Sequence, residues 1–115
     1  MSDVFVYPLQ NLKEYKDLIN YIDNSKGSLL INGLLSVQKP NIAYSIYRDL
    51  NRQTIFITNS DLEAKKVYDD LSFYMKDKVE YLGFDDILFY HLDAKDRSEE
   101  AKRLKVLLNL LYYQL

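Results

Sequence analysis

Three observations predict an α/β fold for this chain: three layers, αβα, around a small parallel sheet. Apolar residues switch repeatedly between helical spacing and short continuous runs. The helical stretches lie between the runs, which makes successive strands parallel, with right-handed crossovers. The composition, 48% hydrophobic and 28% charged with three glycines and two prolines, supplies enough apolar surface to offset ordering entropy. Collagen-like, low-complexity and disordered chains are thereby excluded.

The elements follow in order. Leu9, Leu12, Tyr15, Leu18, Ile19 and Ile22 recur every three or four residues, and the intervening positions include Lys13, Glu14, Lys16 and Asp17. This pattern predicts an amphipathic helix that ends in the turn at 24–27. Leu29-Leu30-Ile31 is the first expected strand, leaving through Asn32 and Gly33. A helix with Ile42, Ala43, Ile46, Tyr47 and Leu50 on one face comes next. The β-branched and aromatic run from Thr54 to Thr58 is too short for a helix and is the second expected strand.

Ser60 and Glu63 form a capping box at the head of a helix with Ala64, Val67, Tyr68, Leu71 and Tyr74 along its stripe. Val79-Glu80-Tyr81-Leu82 is a third expected strand, and an irregular acidic and aromatic connection runs from Gly83 to Lys95. The last helix starts at Asp96 or Ser98 and stacks Ala101, Leu104, Leu107, Leu108 and Leu111. Its apolar residues lie on more than one face, which predicts burial on more than one side. With 115 residues and a sheet of three strands, the expectation is a single domain over 1–115, an incomplete one, cut from the N-terminus of a larger multidomain protein. A small protein that dimerises through its last helix is the alternative.

With no cysteine, the chain has neither disulfides nor thiolate chemistry. Its net charge of −2 gives no electrostatic reason to sit on a phosphate backbone. The first ten residues lack a signal-peptide pattern and no apolar run reaches membrane-spanning length, so a soluble, cytoplasmic protein is expected.

The turn from Gly33 to Pro40, placed after the first strand and opening a helix, occupies the position of a phosphate-binding P-loop. That motif needs Gly-x4-Gly-Lys-Ser/Thr: backbone N–H groups cradle phosphate, Lys reaches it, and the hydroxyl holds Mg²⁺. Gly33 and Lys39 keep the spacing, but Gln38 replaces the second glycine and Pro40 the hydroxyl residue. A side chain at Gln38 obstructs close backbone approach, and Pro40 offers neither hydroxyl nor N–H. Proline also disfavours the α region at Lys39. The expectation is a degenerate, P-loop-like topology in which Gly33, Gln38, Lys39 and Pro40 are vestigial and bind no cofactor.

Asp85-Asp86, after an apolar run, imitates the Mg²⁺-holding Asp of nucleotide hydrolases, but Gly83 favours a strand exit and turn. His91, the one histidine, has no nucleophile near it in sequence and reads as a loop residue. Most of the tyrosines fall at helical core spacing rather than on a base-stacking surface. Lys102, Arg103 and Lys105 are interleaved with Glu99 and Glu100, as on a solvated face. No catalytic or metal-binding residue is expected.

The order of three segments, Ser28 to Leu34, Gln53 to Thr58 and Ala64 to Leu71, resembles the start of bacterial transcription-repair coupling factor. Val79 to Leu88, then Ser98 to Leu104 with Leu107-Leu108, resembles the continuation, so the likeness spans roughly residues 26 to 111. That family opens with a module similar to the first domain of the B component of the ABC excinuclease, whose P-loop is degenerate in the coupling factor. The resemblance implies a parent protein that releases stalled RNA polymerase from damaged DNA and recruits the A component of the same excinuclease. Its ATP- and Mg²⁺-dependent translocase motor would lie downstream of this segment. A non-catalytic scaffold in DNA repair is therefore the expected role, and a small nucleotide-binding protein using Lys39 with Asp85 or Asp86 is its rival.

Overall fold

A computed structural model of the chain describes residues 3–83 and 97–112. Five α-helices lie among the described residues: α1 (Asp3–Gln10), α2 (Lys13–Asn24), α3 (Gln38–Leu50), α4 (Asp61–Met75) and α5 (Arg97–Tyr112), with a 3₁₀ turn at Lys76–Lys78. Among the described residues there is no strand and no sheet, so the expected three-layer αβα architecture, with its P-loop-like topology, is overturned.

The physical reason lies in the three short runs. A strand is stable only within a ladder, and runs of three to five residues offer few ladder bonds, in the weaker parallel pairing. A short apolar run does not by itself distinguish a strand from other buried or unpaired backbone. Leu29 to Ile31, Thr54 to Thr58 and Val79 to Leu82 here connect helices without pairing, and Leu30 and Ile57 remain 80% and 87% exposed. Helix α3 packs directly against α1, α2 and α4, taking the central place the sheet was expected to hold.

The single helix expected up to Ile22 is instead two. Pro8 lies inside α1 with no N–H to donate backward, and that helix stops two residues later. Leu12 N–H turns back onto the Leu9 carbonyl (3.0 Å), and its own carbonyl accepts from Lys16 (3.2 Å) to start α2. Helix α3 ends on Asn51 in the left-handed region (φ 48°, ψ 42°), which asparagine tolerates better than most residues. The Ser60 cap is as expected: its Oγ accepts from Glu63 N–H at 3.2 Å.

Burial of Val6, Tyr15, Tyr44, Val67 and Val106 defines the core. Four aromatic rings join α1, α3 and α4 there. Tyr44 stacks on Tyr74 with ring centroids 5.0 Å apart, and Phe5 and Phe73 meet Tyr74 edge-on at 6.3 and 5.5 Å. Asn41 Nδ2 lies 3.3 Å from both the Phe5 carbonyl and the Tyr74 hydroxyl, tying the three helices at one point. The expected α3 stripe of Ile42, Ala43 and Ile46 is half-buried, while the innermost face carries Pro40, Tyr44 and Ser45. No helix among the described residues is long and apolar enough to cross a membrane.

Helix α4 leads into Lys76, whose φ of 53° with ψ −119° places a side chain in a region favoured by glycine. Lys76→Gly is therefore expected to stabilise the fold by about 1 kcal/mol, read as a higher urea midpoint at unchanged slope. An unchanged or lower midpoint would contradict strain at this corner.

Candidate functional site

The four positions singled out by sequence do come together, at the head of α3. Gly33 has φ 82°, so its role is conformational; the space around it is open, with nothing within 4 Å of where a Cβ would sit. The chain then makes a tight turn through Ser36 and Val37, and α3 begins at Gln38. Gln38 closes this turn twice. Its N–H donates to the Leu35 carbonyl (2.9 Å), and its Oε1 accepts from Leu35 N–H (2.9 Å).

That second bond alters the chemistry of the corner. A phosphate cradle is made of backbone N–H groups left free by the loop. Here the Leu35 N–H is already occupied by the amide side chain that stands where a P-loop has glycine. Sequence reasoning anticipated obstruction by Gln38; the structure adds a competing acceptor.

Pro40 is almost wholly buried in the third position of α3, where a missing N–H costs nothing because first-turn donors have no helical partner. Lys39 departs from expectation, since it lies within the helix rather than being displaced from the α region. The pre-proline restriction is a preference, and here the helix opening and the burial of the Pro40 ring outweigh it.

Lys39, Asn32 and Gly33 line an open groove of about 470 Å³. Ile42, Ala43 and Ile46 of α3 form one side, and Ile31, Leu34 and Phe56 the other. The groove is apolar with a single cationic side chain, so it offers a triphosphate one charge and no hydroxyl. Among the described residues no group of three or more His, Asp or Glu side chains is placed to hold a metal ion. Asp85, Asp86 and His91 lie outside the described residues.

A second polar centre gave no sequence signal. Tyr15, predicted only as part of an apolar stripe, donates its hydroxyl to Asp49 Oδ2 at 2.6 Å across 34 residues. Arg48 holds the other oxygen of the same carboxylate at 2.9 Å. Burial, then the hydrogen bond and charge of Asp49, push the Tyr15 phenol well above its ordinary value. The phenol is thereby held protonated, and the cluster fastens α2 to α3.

Comparison of the chain with protein-family models, curated proteins and solved structures finds no match.

Proposed function

We propose that this chain is a non-catalytic scaffold module, the role implied by its sequence resemblance to the opening segment of bacterial transcription-repair coupling factor. The observation that carries the non-catalytic part is the Gln38 side chain, which takes up the Leu35 N–H at the corner where a nucleotide would need free donors. The scaffold role does not require the sheet that the resemblance implied, because α3, with α1, α2 and α4 around it, supplies a framework of its own. In this reading ATP, Mg²⁺, DNA, RNA polymerase and the excinuclease belong to other parts of the parent protein.

Calorimetric titration of the chain with ATP and Mg²⁺ is the test. No heat of binding is expected at nucleotide concentrations up to about 1 mM, an affinity near −4 kcal/mol. Micromolar binding that disappears in Lys39→Ala would overturn the reading and establish the nucleotide-binding rival.

A further inference from the structure

The two sides of α5 have different fates. One side is fastened to the body: Val106 is buried, Arg103 donates to the Gly83 carbonyl, Asn109 Nδ2 donates to Glu80 Oε1 (2.9 Å), and the Leu110 carbonyl accepts from Gln53 (3.3 Å). At 100° per residue, these positions cluster on one face, and Ala101, Leu104, Leu108 and Leu111 fall on the face diametrically opposite. All four are exposed, as is the neighbouring Leu107.

Their spacing of three, four and three residues is a heptad seam, with Ala101 and Leu108 at a and Leu104 and Leu111 at d. In that register Glu100 occupies g and Lys105 occupies e. A parallel pair of such helices sets g of one copy against the following e of the other, so Glu100 of each faces Lys105 of its mate. The helix thus presents to a second copy an exposed apolar seam flanked by opposite charges. Burying the seam with Leu107 and Tyr112 on two copies removes on the order of 1,000 Å², the lower limit for a specific interface.

We propose that α5 is a homodimerisation surface, pairing in parallel with α5 of a second copy through the Ala101–Leu104–Leu108–Leu111 seam. The two bodies lie on opposite sides of the pair, because each is tied to the outer face of its own helix. The dimer is weak, with a Kd of about 10–100 μM given the small area. Nucleotide calorimetry tests the scaffold reading, and self-association tests this surface, so the failure of one is distinguishable from the failure of the other.

Sedimentation equilibrium of the full chain at about 5–500 μM brackets the expected Kd and should show a monomer–dimer equilibrium. Leu108→Glu should weaken it at least about tenfold with unchanged far-ultraviolet helical signal, since Leu108 is exposed and its loss leaves the body intact. Lys105→Glu should weaken association about fivefold, and adding Glu100→Lys should restore it, because the exchanged charges pair again. As the chain has no cysteine, Leu108→Cys should cross-link on mild oxidation and Lys102→Cys, on another face, should not. A concentration-independent monomer, a dimer indifferent to Leu108→Glu, or cross-linking at residue 102 in place of 108 would each overturn the proposal. So would a monomer that instead binds anionic lipid vesicles through the same leucines.

Discussion

Tyr44→Ala should lower the unfolding free energy by about 3–5 kcal/mol, the cost of emptying a ring-sized volume that neighbours refill only in part. Tyr44 is buried on the central helix, and its stacking on Tyr74 connects it to Phe5 and Phe73 on two further helices. Against a total of about 5–15 kcal/mol for a small domain, that loss brings the chain close to unfolding at ambient temperature. Phe73→Ala is the matched control. Phe73 touches the same cluster but is 69% exposed, so about 1 kcal/mol is expected. Urea titration of both variants decides the matter, and equal midpoint shifts would mean that the cluster is not organised around α3.

Alkaline pH should weaken the fold through Tyr15. The unfolded chain releases this proton near pH 10, whereas the folded phenol, buried and bonded to a carboxylate, keeps it to higher pH. Below about pH 10 both states hold the proton, and the contribution of this hydroxyl to stability is complete. As pH rises further, the unfolded state alone loses the proton, and stability falls with each step. Tyr15→Phe should sacrifice about 1 kcal/mol at neutral pH, with the Asp49 carboxylate still held by Arg48, and should flatten the alkaline decline. Melting temperatures at pH 8 to 11 give the comparison. A decline just as steep in Tyr15→Phe would show that the alkaline sensitivity arises elsewhere.

The difference between what was legible in the sequence and what was not follows the range of the interactions. Helix stripes depend on neighbours three and four residues away, so Val67, Leu71 and Tyr74 were readable, as was the Ser60 cap, which is complete within four residues. The apolar residues of α5 were readable, but the burial they predicted on more than one side does not occur: Leu104, Leu107, Leu108 and Leu111 are exposed. Strand formation requires a partner elsewhere in the chain, and Leu29 to Ile31 carry no record of whether one exists. Similarly, Tyr15 and Asp49 meet across 34 residues, and nothing local to either marks the pair. At the candidate site, the substitutions at Gln38 and Pro40 were visible from stereochemistry alone. The bond from Leu35 N–H to the Gln38 amide spans only three residues, but with leucine where a capping box has serine or threonine the residue order carries no signal for it.

Helices α1 to α4 pack largely in chain order, each against the next, with α1 also reaching α3. Assembly therefore closes only short loops, and the search for the native arrangement is brief, on the order of microseconds to milliseconds for topologies dominated by local contacts. Helix α5 is different, since Gln53 meets the Leu110 carbonyl across 57 residues. Its docking belongs to the late part of the folding reaction, after α1 to α4 have brought the connecting segments that carry Gln53, Glu80 and Gly83 into place.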